Sequence, residues 1–325
     1  LLSATLLLLA GCQLAIGPGA YSTASASTAP ATDDYPRTIV DDEGTSVTLT
    51  TKPASIVSLT PATTEMVFTL GAGDRLKGRT ESDDYPPAAA DVPAVASYTG
   101  VVVEKVVSIQ PDLILAGGNG FTAAGDITRL RDLGFSVLVV YAPTVAGVLS
   151  DIGLVGRAIG ADAQAGQLVG DMQARIDGVK SAVAGLDRPR VFYEIGYQPE
   201  IYAPAPQSFP ADMVTLAGAE PITTADPAVF SVALERLVSL DPELIVLGDA
   251  AYGTCPADVA ARPGWGAMGA VRDGNIRPID DTIVTRPGPR LGEGLAALAL
   301  AIHPDAHVVP PAGATTYCAT PTPSP

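Results

Sequence analysis

The sequence predicts an α/β protein of two similar lobes with mostly parallel sheets, joined by one long α-helix. Two observations carry this expectation. The segment Glu104-Lys105-Val106-Val107-Ser108-Ile109-Gln110-Pro111-Asp112-Leu113-Ile114-Leu115 returns as Glu235-Arg236-Leu237-Val238-Ser239-Leu240-Asp241-Pro242-Glu243-Leu244-Ile245-Val246, with six of twelve positions identical. Between the two copies, Thr144 to Asp187 contains no proline and repeats its apolar residues at helical spacing. A chain of 325 residues, 47% hydrophobic and 17% charged, can fill an apolar core in each lobe.

Residues 1–12 read as an export signal. Leu6-Leu7-Leu8-Leu9 closes an apolar stretch, and Leu9-Ala10-Gly11-Cys12 is similar to a bacterial lipobox, whose cysteine thiol takes a diacylglycerol. The sequence starts at Leu1 without a methionine, so a charged signal start is expected upstream. A lipid on Cys12 would hold the protein at a membrane, each buried methylene contributing about 0.8 kcal/mol. Residues 13–37, rich in Ser, Thr, Ala, Gly and Pro, read as a flexible tether reaching roughly 25–30 Å.

The first lobe is expected over 38–143. Ile39-Val40 and Val47-Thr48-Leu49 flank Asp42-Glu43-Gly44 as a β-hairpin on its edge. A strand at Ser55–Leu59 precedes a helix containing Met66-Val67-Phe68-Thr69-Leu70, stopped by Gly71. In the Glu104 segment a short helix ends before Pro111, because proline disfavours helix at the preceding residue, and an apolar strand follows.

Residues 144–187 form the helical connection. Val148, Ile152, Val155 and Ile159 share one face, and Leu168, Met172, Ile176, Val179 and Val183 share another, with a break at Gly160 and Asp162. The second helix, about twenty residues long, would span ~30 Å as a strut. The second lobe, 188–304, repeats the order strand, helix, helix, strand: Arg190–Ile195, then Met213-Val214-Thr215-Leu216-Ala217-Gly218-Ala219 echoing Met66 to Ala72, then the Glu235 segment. A last helix runs from Leu291 to Ile302, and 305–325 is a loose, proline-rich tail.

Charge and chemistry narrow the function. A net charge of −16 leaves no basic stripe for nucleic acid. Past the first dozen residues no apolar run reaches the ~18 residues of a membrane span, so the folded part is expected to be soluble. His303 and His307 both fall at the end of the last helix, and no Gly-x-Ser-x-Gly elbow or phosphate loop is present. No catalytic residue, resident cofactor or direct metal site is therefore expected. A carboxylate-based enzyme of related two-lobed fold and a structural surface lipoprotein stand as alternatives. Cys255 and Cys318 either form a disulfide, suited to an exported protein and clipping the tail to the second lobe, or remain separate thiols.

Ile56-Val57-Ser58-Leu59-Thr60-Pro61-Ala62-Thr63-Thr64-Glu65, Asp83-Asp84-Tyr85-Pro86, the Glu104 segment, Arg262-Pro263-Gly264-Trp265 and Arg286-Pro287-Gly288-Pro289-Arg290 occur in this order. Over about Thr38 to Pro304 the chain resembles the substrate-binding proteins of ABC importers for iron chelates (ferric siderophores, haem) and cobalamin. The resemblance implies the class III periplasmic binding protein fold, two Rossmann-like lobes joined by one long helix. It also implies a monomeric, extracytoplasmic lipoprotein that binds ligand between the lobes with little hinge motion. Its implied partners are the ligand and an ABC permease with its ATPase.

The same resemblance assigns residues. Glu104 and Glu235 match the acidic residues that dock each lobe on permease arginines; both also suit a helix start by charge alone. Tyr98 matches an aromatic that stacks on the corrin in cobalamin binders, whereas Ser82, Gly117 and Val229 stand where those proteins carry aromatics. Arg286 and Arg290 match partners for siderophore carboxylates or haem propionates, unless Arg290 caps backbone before the last helix. Tyr197, Tyr202 and Trp265 are cleft-wall candidates or buried structural aromatics. The ligand stays open between an iron chelate and cobalamin.

Overall fold

The computed structural model describes residues 34–312, 317 and 318. Cys12 and residues 13–33 of the tether lie outside the described residues. The chain opens with a hairpin, β1 (Arg37–Val40) and β2 (Ser46–Leu49), antiparallel with Ile39 opposite Val47. Alternation in β2 places Val47 and Leu49 inward, as a strand with one solvated face requires.

The first lobe follows as β3 (Ile56–Ser58), α1 (Pro61–Thr69), β4 (Leu76–Thr80), β5 (Ala94–Ser97), β6 (Gly100–Val101), α2 (Val103–Ile109), β7 (Leu113–Gly117), α3 (Ala124–Asp132) and β8 (Val137–Val140). Its six strands lie in the order β6-β5-β4-β3-β7-β8, all parallel except β6. β3, β7 and β8 are buried along their whole length, which explains their apolar sequences, broken only by Ser58, whose hydroxyl is hydrogen-bonded to that of Thr63. Two helices then connect the lobes, α4 (Val145–Ile159) and α5 (Asp162–Val183). The break falls at Gly160, in the left-handed conformation that glycine adopts at no steric cost.

The second lobe comprises β9 (Arg190–Glu194), α6 (Phe209–Leu216), β10 (Glu220–Ile222), α7 (Leu234–Leu240), β11 (Leu244–Leu247), α8 (Pro256–Ala260), α9 (Gly269–Arg272), β12 (Ile276–Pro278), α10 (Asp281–Val284) and α11 (Leu291–Ile302). Its parallel sheet has the order β10-β9-β11-β12. This matches β4-β3-β7-β8 of the first lobe strand for strand. The sequence repeat thus becomes a repeat of register: Ile56 pairs with Leu113 in one sheet and Val191 with Leu244 in the other. Each repeated helix ends on a left-handed residue before its proline, Gln110 in α2 and Asp241 in α7. The acid after each proline then caps a strand start, Asp112 accepting from Ser55 N at 2.9 Å and Glu243 from Arg190 N at 2.9 Å.

Two expectations need correction. The repeated unit is strand, helix, strand, helix, strand, since β4 and β10 each lie between the two repeated helices. These were illegible because their sequences, Leu-Lys-Gly-Arg-Thr and Glu-Pro-Ile, lack an apolar run. The lobes also do not keep wholly separate cores. Each has its own cluster on one sheet face, but the largest cluster runs from Ile39 and Met66 through Ile152 and Met172 to Tyr193 and Leu295. The helical layer therefore welds the lobes together rather than merely spanning them.

The tail is held at two of its described residues. Cys255 and Cys318, 63 residues apart, are joined by a disulfide, and Tyr317 packs on the second-lobe core. Calling 305–325 loose does not fit at that point.

Candidate ligand-binding cleft

A cavity of about 800 Å³ opens between the lobes at the carboxyl ends of the sheet strands. This is where parallel α/β sheets collect loops and leave room for a ligand. The first lobe lines it with Thr60 after β3, Ser82 after β4, Phe121 after β7 and Tyr141 after β8. The second lobe contributes Ile195 after β9, Phe209 at the start of α6, Phe230 before α7, and Asp281 and Arg286 around α10. Phe121 and Phe230 stay 65% and 48% exposed although both are fully apolar. Exposed rings on two walls of one cavity mark a surface that something covers.

Gly117 explains the position of Phe121. A Cβ there would lie 2.6 Å from the Thr60 methyl and 2.8 Å from Phe121 Cβ, so no larger residue fits while Phe121 holds its place. Aromatics are absent at 117 and 229, and the lining instead has Phe121, four residues after Gly117, and Phe230, one after Val229.

The charged groups of the cleft are mostly committed. Arg286 Nη1 and Nη2 donate to Asp84 Oδ1 and Oδ2 at 2.5 and 3.2 Å, and Nη1 also lies 3.3 Å from Glu65 Oε1. Arg290 donates through Nε and Nη2 to Glu65 at 2.9 and 2.6 Å, and its guanidinium lies 4.0 Å from the centre of the Tyr85 ring. Arg286 holds the Asp84 carboxyl below the usual carboxylate range, against a smaller opposing effect of burial. Asp151 on α4 is buried in the cleft lining. Burial, then the neighbouring Asp42, pushes its pKa up to about 8. Asp281 accepts from Tyr193 Oη at 2.6 Å and from Thr285 Oγ1 at 2.7 Å, yet burial still raises its pKa.

At the end of β9, the fully buried Glu194 accepts from Arg262 at 2.6 and 2.9 Å, and burial raises its pKa against that pairing. Arg262 in turn lies over Tyr197 and Trp265, at 3.8 and 4.5 Å from the ring centres. These aromatics therefore belong to a structural stack in the second lobe. Trp265 is buried, meets Tyr197 edge-on and does not line the cavity, which corrects its reading as cleft wall. Tyr197 is corrected for the same reason. Tyr202 is half-buried in backbone pairing with Gly196 and also lies outside the cavity lining.

Among the other expected residues, Ser82 and Arg286 line the cavity. Arg290 does not, and it neither awaits a ligand nor caps backbone, because Glu65 engages it. Tyr98 follows β5, is 93% exposed and stands outside the lining. Glu104 and Glu235 occupy the first turns of α2 and α7, both exposed, with Arg129 3.6 Å from Glu104. Sequence reasoning missed Phe121, Tyr141, Asp151 and Phe230. The run Gly117-Gly118-Asn119-Gly120-Phe121 after an apolar strand was a legible signal, since such a loop displays its aromatic at a strand end.

Among the described residues no helix is long and apolar enough to cross a membrane, and no cluster of three or more His, Cys, Asp or Glu is placed to hold a metal. Comparison with known proteins agrees with this architecture. Residues 56–282 match the family model described as periplasmic binding protein. The chain is 34% identical over 279 residues to the uncharacterized ABC transporter substrate-binding lipoprotein YvrC of Bacillus subtilis, covering 84% of this chain and 88% of that one. It is 30% identical over 285 residues to a cobalamin-binding protein of Halobacterium salinarum, covering 83% and 74%. A solved structure described as a possible iron-binding periplasmic solute-binding protein of Staphylococcus epidermidis superposes with a TM-score of 0.66 at 27% identity, over 78% of this chain and 99% of that one. With two matched parallel sheets, a cleft at their carboxyl ends and a helical weld between them, the chain belongs to the periplasmic binding protein family.

Proposed function

We propose that this chain is the extracytoplasmic substrate-binding lipoprotein of an ABC importer, and that its cleft captures a corrinoid such as cobalamin for delivery to the permease. The observation that carries the ligand class is the pairing of two exposed rings, Phe121 and Phe230, with a neutralised arginine. Among the described lining residues Arg286 is the one cationic side chain, and Asp84 and Glu65 already engage it. Such a cleft offers apolar area to a broad macrocycle and no spare positive charge to an anion. A corrinoid, with its rim of neutral amides, suits those walls, and the Halobacterium relative is named for cobalamin.

An iron chelate is the second reading, favoured by the likeness to the Staphylococcus structure. A neutral ferric chelate would meet the same walls, whereas haem or a ferric tris-catecholate would bring uncompensated negative charge. In either case the ligand is cargo rather than a resident cofactor, and the protein acts as a monomer without catalysis. Lipid on Cys12 and the tether to residue 37 would keep it at the membrane, with Glu104 and Glu235 facing the permease.

Calorimetric titration with cyanocobalamin, haemin and ferric siderophores tests this directly. Saturable one-to-one binding of cyanocobalamin, with the ligand recovered unchanged, is expected. Binding restricted to anionic chelates rejects the corrinoid reading, and consumption of a ligand rejects the transport role.

A further inference from the structure

We propose that Asp84 sets the charge selectivity of the cleft: by occupying the guanidinium of Arg286 it keeps anionic ligands out, and its removal admits carboxylate-bearing ones. The inference rests on the reading of this cavity as the ligand site. Arg286 is the cationic side chain of the lining, and both its terminal nitrogens are taken in bidentate fashion by Asp84, at 2.5 and 3.2 Å. Within the ion-pair cluster the charges cancel, Arg286 and Arg290 opposing Glu65 and Asp84, while Asp281, a carboxyl of the same lining with a raised pKa, also lies within the field of Arg286.

The two carboxylates are not equivalent. Glu65 is 1% exposed and tied to Arg290 by two hydrogen bonds, so it is a fixed part of the interior. The Asp84 side chain is 65% exposed and sits two residues after the cavity-lining Ser82; it does not itself line the cavity and meets the cleft through its bond to Arg286, which does. An incoming carboxylate must displace Asp84 from Arg286 and so exchanges one bidentate pair for another, gaining little. A neutral ligand faces no such exchange. With Asp84 neutral, one positive charge stands uncompensated on the wall, and a carboxylate can take the vacated geometry.

The loop does not depend on the Asp84 side chain for its shape. Its neighbour Asp83 is buried and accepts from Thr64 Oγ1 at 2.5 Å, from Thr80 N at 3.1 Å and from the Thr80 hydroxyl. Substitutions at position 84 therefore leave the wall standing.

Haemin, a dicarboxylate, is the probe, with haemin dimethyl ester as its neutral counterpart. Asp84→Asn and Asp84→Ser are each titrated beside the wild type, along with Asp84→Asn combined with Arg286→Gln. The single variants are expected to bind haemin about tenfold tighter or more than the wild type does, as a newly exposed charge at a binding surface permits. The ester should show no such gain, and the double variant should lose it. A gain below about threefold in both single variants, an equal gain for the ester, or a gain that survives Arg286→Gln overturns the proposal. Wild-type cyanocobalamin titration is read separately, so failure of the corrinoid reading leaves the haemin comparison intact.

Discussion

Glu65 of the first lobe and Arg290 of the second are joined by two hydrogen bonds, Nη2 to Oε1 at 2.6 Å and Nε to Oε2 at 2.9 Å, with the carboxylate almost wholly buried. Breaking such a pair from one side leaves a guanidinium uncompensated in a site that water reaches poorly. Arg286, 3.3 Å from the same carboxylate, compounds the loss. Glu65→Gln is therefore expected to cost about 3–5 kcal/mol in urea unfolding. A loss below about 1 kcal/mol would show that this interlobe pair is incidental to stability.

Asp151 gives the protein a pH signature. Its folded pKa of about 8 lies above the ordinary carboxylate value, so the folded state holds a proton that the unfolded state has released. Stability contributed by this group is full at low pH and declines as pH rises toward the folded pKa, by at most ~1.4 kcal/mol per unit. Asp281 and Glu194, both also raised, act in the same direction, so the variant comparison is the decisive one. Asp151→Asn should be less sensitive to pH between pH 6 and 8 and gain on the wild type by about 1 kcal/mol or more. Parallel unfolding curves at the two pH values would contradict it.

What the sequence revealed about these groups follows from range. The repeat was legible because each copy carries local signals, a helix start, a proline stop and an apolar strand, and the register Ile56–Leu113 against Val191–Leu244 follows from them. The hairpin and the break at Gly160 were legible for the same reason. Arg286 and Arg290 read as ligand partners or a backbone cap because their acidic partners, Asp84 and Glu65, lie more than two hundred positions away. Trp265 stays open in the sequence between cleft wall and buried structural aromatic, because its ring partners Phe192 and Tyr197 lie about seventy positions away. Phe121 and Phe230 were missed because single aromatics in loops show no periodicity.

Phe121 and Phe230 are exposed enough to be removed without leaving a cavity in the core. Alanine at either position should weaken cyanocobalamin binding by roughly tenfold or more while the melting temperature barely moves, since lost ring contact is worth about 1–3 kcal/mol. Titration and thermal melts of the same preparations separate the two effects. Unchanged affinity in both variants would place the ligand elsewhere.

The disulfide closes a long loop from Cys255 to Cys318, 63 residues apart. Cross-linking that span restricts the unfolded chain and should stabilise the fold by about 2–4 kcal/mol. Replacing both cysteines with serine should lower the urea midpoint accordingly. Ligand affinity should hold, because neither cysteine lines the cavity. Equal midpoints with and without reductant in the wild type would contradict the stabilising role.

Glu104 and Glu235 invite two explanations that experiment can separate. Each sits in the first turn of a repeated helix, where a carboxylate favours the positive end of the helix dipole by about 0.3–1 kcal/mol. If that were all, charge reversal would reduce stability slightly and do nothing to a permease. The fold suggests more: the continuous core from Met66 to Leu295 fixes the two lobes in one relation, so two exposed carboxylates at equivalent positions present a rigid acidic pair. Glu104 has Arg129 3.6 Å away to soften its charge, while among the described residues Glu235 forms no ion pair within 4 Å. In a reconstituted importer, Glu104→Arg with Glu235→Arg should abolish stimulation of the ATPase while cyanocobalamin affinity persists. Glu235→Arg alone should cost more stimulation than Glu104→Arg alone, because it removes the unscreened charge. Full stimulation by the double variant would leave both residues as helix starts and nothing more.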